Sequence, residues 1–188
     1  LSKTVVGDPQ VDGVRMGALV GLSQRDDVRD QVAKLREEAE LVYGSPDSVD
    51  TTGADSVKGA FMSPMLLRVN HPLNATNVHE VEAFGPVSTL MPYDTIEDAV
   101  ALSKMGKGSL CCSITTHDKN VAADFVRNAA SMHGRILVLD RESAKESTGH
   151  GSPLPLLVHG GPGRAGGGEE MGGLRGVKQY LQRTAIQG

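Results

Sequence analysis

Aromatic residues are scarce in this sequence, which contains 3 Phe, 3 Tyr and no Trp among 188 residues. A ring beside a charged side chain is therefore a candidate for a specific role. Cysteine is scarce too, since the chain has only the adjacent pair Cys111 and Cys112, which provides no disulfide framework. We therefore expect a reducing, cytoplasmic setting. The sequence also lacks an apolar run of roughly 18 residues and a signal-like start, so we expect neither a membrane-spanning helix nor a cleaved leader.

An excess of basic residues is also missing. The formal net charge is −4 and the isoelectric point is about 5.9, so no global positive field exists and we expect no nucleic-acid partner. A chain of this length can bury a core without disulfides and is expected to form one domain or one lobe. Because it begins at Leu1 without Met, we interpret it as a piece of a longer protein.

The sequence does contain a regular alternation of strand and helix patterns, with short connections that are typical of βαβ crossovers. We predict strands near residues 87–91, 110–115 and 135–139, and helices near residues 24–42, 96–105 and 119–132. The predicted fold class is therefore α/β, with one mostly parallel sheet that contains these three strands and is flanked by helices.

Capping residues mark where the predicted helices begin. Ser23, with Asp26 three residues later, forms a capping-box pattern before the first helix, while Thr95 and Asp118 precede the other two. Gly44 is predicted to end the first helix. The apolar face of that helix is predicted to consist of Val28, Val32, Leu35, Ala39 and Val42.

The remaining segments are less regular. A strand is predicted over residues 61–69, interrupted by the Ser-Pro pair at 63–64. Glycine crowds residues 141–171, and a long loop inside a compact protein is usually functional or lies against a partner. A short helix near Leu174–Leu181 and a terminal strand, Gln182–Gln187, complete the prediction.

The most informative stretch is the segment 81–87, with the sequence V-E-A-F-G-P-V. Glu82 lies two residues before Phe84, and an ionised carboxylate can accept two hydrogen bonds at once, which suits a vicinal diol such as a ribose. The Phe84 ring offers an apolar face to a heterocycle. The alternative is that Glu82 is a solvated acid and Phe84 a core residue, as these residue types usually are.

Four other patterns lack a part that their chemistry requires. Residues 161–166 spell G-x-G-x-x-G, but the two glycines that follow would break the helix needed for a pyrophosphate. Residues 159–163 resemble the oxyanion-hole turn of α/β-hydrolases, but no G-x-S-x-G elbow occurs. Residues 79–83 begin like a zinc helix without its second His, so no metal site is predicted. Cys111 and Cys112 lie mid-strand without a neighbouring base and are predicted to be core residues.

Several segments together resemble the second half of the aldehyde dehydrogenase family. The most specific is residues 82–87, E-A-F-G-P-V, which resembles the family's E-x-F-G-P-V signature. Residues 61–67 resemble its F-x-x-P-T-L-L strand, with Met65 in place of Thr. Residues 168–172 resemble its closing G-R-E-L-G, with Glu169 in place of Arg. The resemblance runs from end to end.

This resemblance implies part of an aldehyde dehydrogenase domain, with a catalytic lobe over residues 1–171 and a C-terminal helix and oligomerisation strand over 172–188. In that family a cysteine thiolate attacks the aldehyde, hydride passes to NAD or NADP, and a glutamate-activated water releases the acid. Glu82 would hold the nicotinamide ribose with Phe84 beside it. The nucleophilic cysteine and the general-base glutamate would lie upstream of Leu1, and the terminal strand would pair across subunits in a homo-oligomer.

The C-terminal part narrows the resemblance. Residues 143–153 and 159–172 are similar to the aldehyde dehydrogenase domain of the bifunctional ring-opening enzymes of phenylacetate breakdown, in which an oxepin-CoA hydrolase is fused to a semialdehyde dehydrogenase. The family's P-F-G-G turn appears here as V-H-G-G over residues 158–161, which makes His159 a candidate substrate-binding residue. The implied substrate is a semialdehyde, free or linked to CoA, and a related CoA-linked enzyme of benzoate oxidation fits as well.

Two other functions stay open at this point. A non-catalytic scaffold or assembly module with the same fold would explain a chain that lacks the nucleophile. A fragment of an α/β-hydrolase would rest on the turn at residues 159–163 alone.

Overall fold

The computed structural model describes residues 1–147, 149–151, 161–165, 174, 177–178, 181 and 184–187. In it the chain forms two units, Leu1–Pro92 and Tyr93–Gly188. Each unit has its own sheet and its own apolar core.

The first unit is built around a mixed sheet of short strands. It contains helix α1 (Leu22–Leu35), strands β1 (Glu40–Tyr43) and β2 (Met65–Arg68), helix α2 (Asn77–Glu80) and strand β3 (Val87–Leu90). Strand β2 is central, antiparallel to β1 and parallel to β3, with Met65 opposite Val87 and Arg68 opposite Leu90.

Helix α1 packs on this sheet through residues spaced by four and three. Val28, Val32 and Leu35 are buried, as the apolar periodicity predicts. Two linked groups of side chains form the core of the unit. Val28 and Val32 pack with Met62 and Met65, and Leu35 and Ala39 pack with Leu67, Val69 and Val78.

Helix α1 is shorter than the pattern predicts. The prediction of a helix to residue 42 is wrong, because residues 40–43 form β1, with Leu41 opposite Leu67. Val42, assigned to the apolar helix face, is 53% exposed. Hydrogen bonding to a neighbouring strand outweighs the small helix preference of a few apolar residues. The strand predicted over residues 61–69 is likewise confined to Met65–Arg68.

The start of α1 also differs from the prediction. The capping box at Ser23 is wrong, since Gly21 is the N-cap residue and no side chain caps the helix there. Gln24 Oε1 instead accepts a hydrogen bond from the backbone N–H of Val20 at 3.0 Å. Gly44 does not end a helix but follows β1, where its φ of +86° requires glycine.

The second unit follows the predicted alternation closely. It contains helix α3 (Ile96–Met105), strand β4 (Ser109–Thr115), helix α4 (Lys119–Ala129), strand β5 (His133–Leu139), helix α5 (Ser143–Glu146) and strand β6 (Ala185–Gln187). The strands lie in the order β4-β5-β6 and adjacent strands are parallel. The predicted α/β class, with parallel strands and flanking helices, is confirmed.

Two of the predicted caps are present in this unit. Thr95 Oγ1 accepts from the backbone N–H of Asp98 at 3.1 Å, and Asp98 Oδ2 accepts from the N–H of Thr95 at 3.2 Å. Asp118 Oδ1 accepts from Asn120 N–H at 2.8 Å. The apolar faces of the capped helices then meet the sheet in a core formed by Phe125, Ala129 and Ile136, with Ile96, Val100, Cys112, Ile114 and Val138 packed around it.

The prediction of one sheet that holds all three strands is wrong. Strand β3 pairs with β2 in the first unit, while β4 and β5 pair with each other in the second. Val87 of β3 packs against the core beneath α1, whereas Ile114 and Val138 pack beneath α3 and α4. Alternation along the chain predicts crossovers but does not say which strands become neighbours.

The C-terminal predictions are only partly covered by the described residues. The terminal strand is present as β6, with Ala185 opposite Arg135. Residues 174, 177 and 178 are helical, while much of the glycine-rich loop and the rest of the predicted helix lie outside the described residues. The division at residue 171 stays a prediction. None of the helices within the described ranges has the length and apolarity needed to cross a bilayer.

Candidate functional site

The segment between α2 and β3 presents Glu82 and Phe84 on its outer side. Val81 and Ala83 pack against the core of the first unit. Glu82 and Phe84 alternate with them and are exposed, Phe84 to 68% of its surface. In an extended segment alternate side chains point to the same side. This arrangement is compatible with the prediction that the Glu82 carboxylate and the Phe84 ring bind one ligand together. The alternative, that Phe84 is a core residue, is wrong.

A side chain of α1 fixes the backbone of this segment. Gln24 Nε2 donates a hydrogen bond to the Phe84 carbonyl at 2.8 Å, while Gln24 Oε1 is held by Val20 N–H. Sequence reasoning missed Gln24, because the two bonded residues are 60 positions apart and no local pattern links them.

The turn after Phe84 docks directly on α1. A Cβ atom at Gly85 would lie 2.9 Å from both Cγ atoms of Val28, which is fully buried. The Pro86 carbonyl accepts from Met65 N–H at 2.8 Å and so continues the pairing of β2 with β3. Glycine at position 85 therefore allows the close approach that orients the preceding residues.

Replacing Gly85 by alanine should destabilise the protein by about 1–3 kcal/mol, the usual cost of overpacking a core. The new methyl group would have to displace Val28, a β-branched side chain in the core. Chemical denaturation of the intact enzyme measures the loss. The matched control is Gly21→Ala, where a Cβ meets nothing within 4 Å and only a weak N-cap is lost, at less than about 1 kcal/mol. Equal stability of the two variants would contradict the docking of this turn.

The Glu82 carboxylate is available to a ligand. Within the described residues it has no hydrogen-bond or ion-pair partner, and the side chain is exposed. The helix before it is anchored by Glu38, whose carboxylate accepts from Thr76 N–H at 2.9 and 3.1 Å. Glu82 thus offers two acceptor oxygens at the end of a fixed segment, which fits the two hydroxyls of a ribose.

The second unit contains other polar groups in a different arrangement. Burial lowers the pKa of His133, whose Nδ1 lies 2.6 Å from Ser109 Oγ. Burial, and then the charge of Cys111, raise the pKa of the Cys112 thiol. The prediction that both cysteines are core residues is wrong for Cys111, which is exposed on β4.

No cluster of metal-ligating side chains occurs among residues that the structure describes. His159, the candidate substrate-binding residue, lies outside the described residues.

Comparison with known proteins identifies the class to which this fold belongs. The model of the aldehyde dehydrogenase family matches residues 1–186. The chain belongs to the aldehyde dehydrogenase family. The alternative interpretation, that the chain is a fragment of an α/β-hydrolase, is therefore wrong.

Two curated relatives extend this result. Protein MaoC of Klebsiella aerogenes is 51% identical over 174 residues, which cover 92% of this chain and 50% of that protein. The 3,4-dehydroadipyl-CoA semialdehyde dehydrogenase of Aromatoleum evansii is 41% identical over 157 residues, which cover 84% of this chain and 30% of that enzyme. The chain thus spans half or less of the length of these relatives.

Solved structures agree with the family. A mutant of aldehyde dehydrogenase C from Pseudomonas syringae, in complex with NAD+ and octanal, matches with a TM-score of 0.71 and 26% identity over 95% of this chain and 33% of that one. The structure of 3,6-anhydro-L-galactose dehydrogenase in complex with NADP has a TM-score of 0.71 and 25% identity, with 94% of this chain and 34% of that one covered.

Proposed function

We propose that this chain is part of an NAD(P)-dependent aldehyde dehydrogenase that oxidises a semialdehyde to the carboxylic acid. The observation that carries the proposal is the paired exposure of Glu82 and Phe84 on a segment held by the core. The complexes of similar structures with NAD+ and NADP support the choice of cofactor.

The described residues supply binding and orientation. NAD(P)+, when bound, supplies the hydride acceptor of the reaction. Glu82 would accept hydrogen bonds from the two ribose hydroxyls through its carboxylate, and Phe84 would pack its ring beside the cofactor. Gln24 and Gly85 hold the backbone under these side chains, which limits the misplacement of the reacting ring that slows hydride transfer.

One relative supports the proposed substrate class. The similarity to a 3,4-dehydroadipyl-CoA semialdehyde dehydrogenase supports a CoA-linked semialdehyde. Its origin in aromatic-acid degradation, with phenylacetate breakdown as the first candidate, is proposed from the sequence resemblance alone. His159 is the proposed substrate contact, and the scarcity of cysteine supports a cytoplasmic enzyme.

Neither cysteine of the chain should serve as the nucleophile. Cys112 is half-buried with a raised thiol pKa, and within the described residues no hydrogen bond joins Cys111 Sγ to a base. A nucleophilic thiolate needs such a base or a nearby cation. We expect Cys111→Ala and Cys112→Ala variants of the intact enzyme to keep the parent rate of NAD(P)H formation under reducing conditions. Loss of turnover in either variant, with the fold intact, would overturn this assignment.

The activity itself is tested on the intact enzyme with a CoA-linked semialdehyde and either dinucleotide. NAD(P)H formation is followed by absorbance, and release of the carboxylic acid is followed by mass spectrometry. Formation of both products in equal amounts supports the proposal. If neither product forms and the folded enzyme binds no dinucleotide, the non-catalytic scaffold is the better description.

We also propose that the intact enzyme is a homo-oligomer that uses the outer edge of β6. Among the described strands β6 is the last in its sheet, so one edge of its backbone stays open to a partner strand. Removing residues 182–188 should convert the oligomer to monomers or aggregates, measured by light scattering. An unchanged molar mass would contradict this role.

A further inference from the structure

A second candidate site lies in the first unit, in a cavity that Glu82 and Phe84 do not line. Its volume is about 360 Å³, and its walls come from α1 and from the segments 46–49, 56–57 and 61–62. Pockets for small molecules range over roughly 300–1,000 Å³, so this cavity suits a small ligand.

Two arginines of α1 form the charged wall of this cavity. Arg25 and Arg29 are four positions apart and therefore on the same face of the helix. Arg25 Nη1 donates to the Gly59 carbonyl at 3.2 Å, and Arg29 Nε donates to the Pro46 carbonyl at 2.9 Å. These bonds fix both guanidinium groups, while the Nη2 atoms have no hydrogen-bond partner among the described residues.

The ion pairs already present leave these groups able to bind an anion. Asp26 accepts from Arg29 Nη1 at 3.1 Å, but its side chain is 63% exposed, so solvent screens the pair. Asp26 lies 3.8 Å from Arg25 Nε, too far for a hydrogen bond, and that buried nitrogen has no partner in the described part of the chain. A second acceptor would therefore add charge-assisted bonds without breaking the existing ones.

The other walls define what kind of anion fits. The Phe61 ring and neighbouring apolar side chains provide a surface for an apolar body, and Ser48 and Ser56 provide hydroxyl groups. Arg25 and Arg29 carry one positive charge each, and Asp47 in the lining and Asp26 beside both arginines carry one negative charge each, so the attraction to an anion comes from the Nη2 groups rather than from net charge. A carboxylate can accept from the Nη2 groups of the two arginines, and an apolar body attached to it fits beside the Phe61 ring.

We infer that this cavity binds a small organic carboxylate, with the carboxylate between Arg25 and Arg29 and the apolar body against Phe61. The site is separate from the one proposed for the dinucleotide. Its existence does not depend on the proposed oxidation of a semialdehyde.

The probe is benzoate, titrated into the intact enzyme by calorimetry with benzamide as the uncharged comparison. The double variant Arg25→Gln with Arg29→Gln should weaken benzoate binding by about tenfold or more, because each guanidinium bond is charge-assisted. Arg36→Gln is the matched control, since Arg36 is exposed just beyond the end of the same helix and should leave the affinity unchanged.

A second variant separates loss of binding from loss of local structure. Ser48→Trp fills the cavity while both arginines keep their carbonyl contacts, and it should also weaken benzoate binding by about tenfold or more. Weakened binding in both variants, with benzamide not bound, supports the site. Absence of benzoate binding to the parent, unchanged affinity in the two variants, or equal binding of benzamide would each overturn the inference.

Discussion

Replacing Glu82 by glutamine should weaken the binding of NAD(P) to the intact enzyme by roughly ten- to a hundredfold, since a charge-assisted hydrogen bond contributes about 1.5–3 kcal/mol. Glutamine keeps one acceptor oxygen but loses the charge that strengthens both bonds to the ribose. The rate of hydride transfer should fall as well, because the nicotinamide ring is held less accurately. Equilibrium titration gives the dissociation constant, and stopped-flow absorbance gives the transfer rate.

A matched control separates a specific effect from a general loss of negative charge. Glu40 is also an exposed glutamate of the first unit, in β1 rather than beside Phe84, so Glu40→Gln should leave both quantities unchanged. The melting temperature of either variant should stay close to that of the parent, as expected for exposed side chains. If Glu82→Gln and Glu40→Gln behave alike, Glu82 is only a solvated acid.

Replacing Leu67 by alanine should reduce the free energy of unfolding by about 2–5 kcal/mol. Leu67 lies in the central strand of the first unit, is 0% exposed, and packs with Leu35, Val69 and Val78. The alanine variant loses apolar contacts on a strand paired on both sides, where the surroundings have little freedom to collapse into the cavity. Denaturant unfolding of the intact enzyme, followed by circular dichroism, measures the shift of the transition that includes this unit.

The control for this prediction is a leucine in the same unit that contributes little to the core. Leu73 is 45% exposed on the short 3-10 helix Pro72–Asn74, and Leu73→Ala should change the free energy of unfolding by less than about 0.5 kcal/mol. A loss in Leu67→Ala no larger than the loss in Leu73→Ala would show that β2 is not the centre of a packed core.

Local patterns predict the second unit better than the first. Thr95 and Asp118 cap their helices through residues three or fewer positions away, so neighbouring sequence suffices to locate α3 and α4. In the first unit, residues 40–43 form a strand because they pair with β2, which lies more than 20 positions later in the chain. The spacing of apolar residues along one segment gives no information about such a pairing. The predicted helix over residues 24–42 therefore extends beyond the end of α1 at Leu35.

The candidate site shows the same limit. The sequence indicates Glu82 and Phe84 as a candidate pair two residues apart but leaves open whether Phe84 is a core residue, and the structure shows both side chains exposed. The groups that position these two residues could not be predicted from the sequence. Gln24 donates to the Phe84 carbonyl from a helix 60 positions earlier in the chain, and a Cβ atom at position 85 would clash with Val28 of the same helix. The pairing of Arg25 and Arg29 around a cavity likewise depends on loops that fold over α1.

The most direct test of the central claim is a crystal structure of the intact enzyme with bound NAD(P). The account predicts that both hydroxyls of the nicotinamide ribose lie within hydrogen-bond distance of the Glu82 carboxylate, about 2.5–3.0 Å between oxygens, with the Phe84 ring packed beside the cofactor. A dinucleotide bound elsewhere, with Glu82 and Phe84 facing solvent, would contradict it.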